Sequence, residues 1–457
     1  MRTQTAELTA PEPTITPSPG APAGPVVAGV SPGHAAPIAG SERSLAPDIA
    51  RGAMLLFIAL ANVPLYLWNR PLDTYGHIAD GTVIDRALHV AEQLLVADRS
   101  RPMFAILYGF GIAVMADNLA RRGVAPAGVR RVLARRSLAL IGLGVLHALL
   151  LFFGDILSAY GATGLVALAL VHRSDRALRR WLWVTGIYVL LVQTPVLALL
   201  VSGVIPFPAP PPGEPLYGDT YLEHMVMGAT GATVQIGMAL LFLTFVPLVV
   251  AGMLVHRLGW LSRPAEHLPR LRRTVAIAMT VNVLSATPVA LLALGAWHPD
   301  ARGWAGAVYL TVAGGMVGGL AYVCGFALLA HRWAARGRRG FPGALAALGE
   351  RSLSGYLAQS FLMAPLLAAW GLGLGEGLGY AGAFAVATAA WAVTLLGSVA
   401  LDRAGRRGPF DALLRRVTYG PGHRAPSGGG TREGPSPLRH PLPLRPHPPA
   451  RACRDAR

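Results

Sequence analysis

Apolar runs separated by short, arginine-rich connections extend from residue 51 to residue 401. Each run approaches the ~20 residues a helix needs to cross a bilayer core of roughly 30 Å. They predict ten transmembrane helices, at 51–68, 102–120, 136–154, 156–172, 181–204, 234–255, 274–296, 304–330, 352–370 and 379–401. The third and fourth meet in a tight turn at Gly154-Asp155, and 342–349 reads as a short interfacial helix leading into the ninth. A helical alternation of apolar and polar positions around Val83–Val96 predicts a surface helix in the long connection 69–101. The expected fold class is all-α, a polytopic transmembrane helical bundle.

Composition agrees with that pattern. Of 457 residues, 53% are hydrophobic and only 14% charged, against roughly a quarter charged in a soluble domain. The net charge is +17, and all 40 basic side chains are Arg. Such a balance alone suggests nucleic acid, but the arginines sit between the spans, where they report topology. Connections after the second, fourth, sixth and eighth spans are rich in Arg, including Arg130, Arg131, Arg179, Arg180, Arg272, Arg273, Arg336 and Arg338. The intervening ones are poor in Arg, and residues 205–223 carry Glu214, Asp219 and Glu223 instead. The alternation implies an even number of crossings with both termini cytoplasmic. The expected partners are the lipid bilayer itself and anionic lipid against the Arg-rich loops and tail, with no nucleic acid. Three segments follow: a disordered extension at 1–46, a membrane domain at 47–420, and a disordered Pro/Arg-rich tail at 421–457. Cys324 lies inside a span and Cys453 in the tail, so no disulfide framework or cysteine metal site is expected.

Polar side chains inside apolar spans are costly and mark sites or interhelical hydrogen bonds. On the first span Asp48, Arg51, Leu55, Ile58 and Asn62 share a helical face. Asp48 and Arg51 are placed to pair at the cytoplasmic edge, with Asn62 roughly 16 Å deeper. His147 reads as a midplane imidazole, suited to a general base, a proton relay or plain packing. Asp155 suits either an N-cap for the next helix or a carboxylate at the mouth of a cavity holding His147. Ser352, Tyr356 and Gln359 form another stripe, with Gln359 near middle depth. Gly314, Gly315, Gly318 and Gly319 read as a close-packing surface. His77, His89 and His224 lack metal-ligand spacing and read as solvated. There is no phosphate loop, zinc signature or nucleophile elbow.

Taken in order, these motifs resemble the YeiB-like family of bacterial membrane proteins, a domain of unknown function numbered 418. The resemblance rests on Asp48-x-x-Arg51-Gly52 through Asn62, Leu107-Tyr108-Gly109-Phe110-Gly111, Gly144-x-x-His147, Gly154-Asp155-Ile156-Leu157-x-x-Tyr160, Arg351-Ser352-Leu353-Ser354-Gly355-Tyr356 through Gln359, and Gly408-Pro409-Phe410-Asp411. It departs from the family pattern at Asp411 and Leu414, where Glu and Trp are usual. The resemblance implies a multi-pass protein of the bacterial inner membrane, distantly similar to multi-helix membrane acyltransferases. Acyl transfer would use acyl-CoA as donor substrate, His147 and Asp155 as catalytic groups, and Asp48, Arg51, Asn62, Tyr356 and Gln359 as substrate-binding groups. A transporter with Asn62, His147 and Gln359 along a solute route, and a non-catalytic membrane scaffold, are the competing readings.

Overall fold

The computed structural model describes residues 45–73, 75–205, 220–334 and 337–420. The extensions at 1–44 and 421–457 and the residues Glu214, Asp219, Arg336 and Cys453 lie outside them. Fifteen helices fill the described residues. They are α1 (Ala46–Asn62), α2 (Val83–Leu95), α3 (Ser100–Arg121), α4 (Pro126–Leu150), α5 (Leu157–Ala167), α6 (Asp175–Tyr188), α7 (Thr194–Val201) and α8 (Tyr221–Leu241), followed by α9 (Val246–Arg257), α10 (Leu268–Ala293), α11 (Ala301–Trp333), α12 (Gly340–Glu350), α13 (Ser352–Leu367), α14 (Tyr380–Arg403) and α15 (Pro409–Tyr419). No strand forms among them beyond two isolated bridges, Trp68 with Glu376 and Leu72 with Ile78. The protein is an all-α, multi-pass membrane bundle. Eight helical segments are long and apolar enough to cross a bilayer; seven coincide with expected spans, and the eighth, Tyr221–Leu241, overlaps only the first part of the sixth.

The other two expected spans are shorter. The fourth is only the 11 residues of α5, about 17 Å at 1.5 Å per residue. The apolar sequence continues past Ala167, but the chain there breaks into turns. The ninth is the 16 residues of α13, about 24 Å long. The sixth, expected as one helix over 234–255, is two. α8 ends at Leu241 and α9 begins at Val246, with Leu243 in the left-handed region at φ 54°. Pro247 stands in the first turn of α9, where its missing N–H costs nothing, whereas inside one continuous helix it would remove a hydrogen bond and clash with the preceding turn. The amphipathic helix expected near Val83–Val96 is present as α2, started by a Thr82–Asp85 capping box. The short helix expected at 342–349 is also present, as α12, and it is covered by protein. Leu345, Ala346, Ala347 and Leu348 are all buried, because Gly52 and Gly349 let α12 lie directly on the backbone of α1.

Glycines set the other close crossings. A Cβ on Gly109 would strike the Val249 carbonyl, and one on Gly252 the Ile106 carbonyl, so α3 and α9 meet backbone to backbone. In the Gly314–Gly319 stretch of α11, Gly315 admits the Asp98 carbonyl, Gly318 the Asn282 side chain, and Gly319 the Pro102–Met103 backbone. Beneath them lies the fully buried Arg99. Its Nε donates to Asn282 Oδ1 at 2.7 Å, and it also donates to the Ala97 carbonyl.

Ion pairs segregate to two ends of the bundle. At one end Arg51 pairs with Asp48, Arg257 with Asp175, and His256 with Asp117. There too Arg338 and Arg351 share Asp402. At the other end Arg70 pairs with Asp80 and Asn69 bonds Glu376. Gly349 lies on the backbone of Asp48 while neighbouring Arg351 holds Asp402 and the Arg406 carbonyl. The described chain therefore begins and ends on the same face, called the N-terminal face below.

Candidate functional site

His147 sits in the last turn of α4, and the chain then turns through 151–156 before α5. This non-helical hairpin tip is tolerated because protein covers it. Phe152, Asp155 and Ile156 are buried. From α8, Gly228 and Gly231 lie on the Ala148 and Phe153 carbonyls, and the Tyr221 hydroxyl donates to the Leu150 carbonyl at 3.1 Å.

Within the tip Asp155 makes two contacts. Oδ2 accepts the Ser158 N–H at 2.8 Å, capping the start of α5. Oδ1 lies 2.8 Å from His147 Nδ1. Gly144, one turn before His147, makes this fit: a Cβ there would strike the Ser158 amide and the Asp155 carboxylate. An ionised carboxylate accepts only, so it assigns the ring proton to Nδ1 and leaves a lone pair on Nε2. That Nε2 is buried and has no partner among the described residues. Leaving a buried polar atom unpaired costs about 1–3 kcal/mol, so its persistence asks for a reason. The ring of Tyr356, from α13, stands 4.9 Å from the imidazole, and Phe152 lies 6.2 Å away. The dyad is thus oriented, buried and walled by aromatic rings, with Nε2 unpaired among the described residues.

The remaining expected site residues do not converge on it. Arg51 Nη1 bonds Asp48 Oδ1 at 3.1 Å on the N-terminal face, as expected. Asn62 is the last residue of α1 and half-buried. Among the described residues its side chain bonds neither His147 nor Gln359. The stripe on α13 splits: Tyr356 meets His147, whereas buried Gln359 turns to α14, with Nε2 3.5 Å from Thr394 Oγ1. The three groups expected at middle depth therefore do not bond one another among the described residues.

The reading of His77, His89 and His224 as solvated is overturned. His89 and His224 are buried, and the His77 ring packs edge-on against that of His89 at 4.6 Å. His224 stacks between Tyr221 and Trp370 on the α8 side of the dyad. The buried Arg99–Asn282 pair was also missed, since Arg99 looks like one loop charge among several acids. An asparagine inside an apolar span, Asn282, was the only sign of it.

Two comparisons bear on this geometry. A family model described as "Protein of unknown function (DUF418)" matches residues 255–421. The Escherichia coli (strain K12) protein described as "Uncharacterized protein YeiB" is 28% identical over 397 residues, which is 82% of this chain and 96% of that relative. The chain thus resembles that family over residues 255–421 and YeiB over most of its length. The Bacillus subtilis (strain 168) protein "Uncharacterized protein YxaH" is 36% identical over a shorter stretch of 91 residues, 19% of this chain and 21% of the relative. In this YeiB-like chain the segment matched by the family model contains the Arg351–Asp402 buckle, Tyr356 and the docking of α15. The His147–Asp155 dyad and the Asp48–Arg51 pair precede it.

Proposed function

We propose that the protein transfers an acyl group from a cytoplasmic donor to an extracytoplasmic acceptor. The N-terminal face is cytoplasmic in this reading and the membrane is the bacterial inner membrane. The observation that carries it is the open, buried Nε2 of His147, oriented by Asp155. His147 Nε2 takes the proton of the acceptor hydroxyl as its oxygen attacks the acyl carbonyl. Asp155 stabilises the imidazolium so formed. With an acyl-CoA donor the carbon–sulfur bond breaks, and the departing thiolate receives the proton from His147. Arg51 and its cytoplasmic neighbours suit the phosphates of such a donor, because a guanidinium pairs with phosphate through two hydrogen bonds. Tyr356 walls the imidazole. Gln359 and Asn62, set apart from the dyad, are assigned to the route that substrate takes. The Arg-rich cytoplasmic loops contact anionic lipid.

The test is purified protein with radiolabelled acyl-CoA, wild type against His147→Ala. Product from wild type and none from the variant supports the reading. Equal transfer or hydrolysis by both removes His147 from catalysis.

One observation favours a second reading, solute transport. The sixth span is broken between α8 and α9, and the facing helix carries a π-helical stretch, Val189–Gln193. Gln193 Nε2 donates to Thr244 Oγ1 at 2.6 Å across the break. Broken helices and π-bulges accompany substrate sites in many membrane proteins. Substrate-dependent flux into proteoliposomes without a covalent product would favour transport over transfer.

A further inference from the structure

On the face opposite the chain ends, the 69–82 connection, α2 and the end of α10 enclose a cleft of about 380 Å³. Its lining includes Asp73, His77, His89 and Tyr380. A cleft of that volume suits a small ligand group. We propose that it binds an alkylammonium group.

The charge comes first from Asp73. Its Oδ1 accepts the N–H groups of Tyr75 at 2.9 Å and His77 at 2.8 Å. Its Oδ2 faces His77 Nδ1 at 3.6 Å, beyond hydrogen-bond reach, and the side chain is one-third exposed. Burial pushes the carboxyl upward, but the interaction with the His77 side chain and the two backbone hydrogen bonds outweigh it and hold it below its ordinary value. The carboxylate is therefore ionised at neutral pH, and no arginine pairs with it among the described residues.

A second negative element adds to it. The cleft is lined by 292–295, the C-terminal turn of α10. The Ala293 and Leu294 carbonyls take no backbone hydrogen bond among the described residues, and a helix C-terminus carries roughly half a negative charge. Asp85 contributes charge too, though its oxygens already serve Thr82 and the Ala381 N–H. Arg86 lines the cleft, but its Nε turns to the Gly81 carbonyl at 3.4 Å. Nearby Arg70 is spent on Asp80 and the Gly377 carbonyl. Tyr380, stacked on His89 at 4.3 Å, completes the site with an aromatic surface, and aromatic faces attract ammonium groups. One fixed carboxylate, a helix C-terminus and aromatic walls select a cation with apolar substituents over an anion or a neutral solute.

Binding at this cleft does not rest on the transfer reading. The experiment is calorimetric titration of the full-length protein in detergent with choline. The comparison ligand is 3,3-dimethylbutan-1-ol, which has the same shape without the charge. Choline is expected to bind at least tenfold more tightly than the alcohol. Asp73→Asn keeps an oxygen for the two backbone N–H groups and removes the charge, and it should weaken choline at least fivefold. His147→Gln should leave choline binding unchanged. If the alcohol binds as well as choline, or wild type binds neither, the proposal fails. It fails also if a folded Asp73→Asn protein binds choline as tightly as wild type. Should that variant not fold, the wild-type comparison alone decides. Repeating the titration in phosphatidylethanolamine and phosphatidylglycerol nanodiscs assigns the natural source. Competition by the first alone indicates a lipid headgroup, and equal binding in both indicates a soluble amine.

Discussion

Gly144 is as much a part of the candidate site as His147. Its missing side chain is what allows the Asp155 carboxylate and the Ser158 amide to lie against α4. Gly144→Ala should therefore destabilise the protein by about 1–3 kcal/mol, the usual cost of forcing an extra methyl into a packed site, and should loosen the Nδ1–Oδ1 contact. Thermal unfolding in detergent measures the first effect. If transfer is the reaction, His147→Gln should lower its rate about 10²–10⁴-fold, the range for losing a general base. Asp155→Asn should also lower it, because an amide fails to stabilise the imidazolium. A His147→Gln protein that transfers at the wild-type rate would exclude the base role. The dyad was legible in the sequence: both residues stand out as polar groups at the end of an apolar run, eight positions apart. The helix that carries His147 begins ten residues before Arg136, the edge from which its depth was counted. Asn62 and Gln359 were placed in the same layer by the same counting, which fixes height along an axis but not the direction a side chain faces. His77, His89 and His224 were misread for a related reason. A connection between spans looks solvated in sequence, whereas here it folds back over the bundle.

At the scale of elements, Arg351 joins three segments that composition alone leaves unrelated. It is 6% exposed. Its guanidinium donates to the Ala347 carbonyl of α12, to Asp402 of α14, and to the Arg406 carbonyl before α15. Next to it the Ser354 hydroxyl accepts the N–H groups of Phe410 and Asp411, while Asp411 Oδ2 accepts the Ser354 N–H. Asp411 and Leu414 thus hold α15 in place without the usual Glu and Trp, Leu414 being buried. Arg351→Met keeps much of the side-chain volume and removes every donor. It should cost at least about 1.5–3 kcal/mol, the scale of one hydrogen bond to a charged group, and should raise protease cleavage after Arg406 or Arg407. Unchanged thermal stability would contradict the joint. Spans were read well wherever a long apolar run is one helix. The break between α8 and α9 was not, because Leu240-Leu241-Phe242-Leu243-Thr244-Phe245 is as apolar as the helices it separates, and periodicity cannot find an end inside an unbroken apolar run. Only Pro247 hinted at it. The short α5 was overread for the same reason.

For the whole molecule, the two descriptions of topology are independent and agree in parity. Arginine alternation requires an even number of crossings, and in the structure residues near Asp48 and Asp402 meet on one face. Neither says which compartment that face sees. The proposed cytoplasmic assignment rests on arginine density: the ends of α3, α9 and α11 on the N-terminal face adjoin the Arg-rich connections, and the opposite face is where acidic residues such as Asp73, Asp80 and Asp85 gather. Asp80 and Asp117, 50% and 58% exposed, lie on opposite faces and pair only at the surface, where an ion pair is worth little. Single cysteines at these positions, introduced with Cys453→Ser, are therefore mild probes, and native Cys324 is buried and silent. A membrane-impermeant maleimide should label Asp80→Cys in intact cells and Asp117→Cys only after the membrane is opened. The reverse pattern would invert the bundle. It would place the Asp48–Arg51 pair outside, away from any cytoplasmic acyl-CoA, and so would remove the donor side of the proposed transfer while leaving the His147–Asp155 dyad intact. Labelling of both positions from outside would contradict the two-faced arrangement of the charges itself.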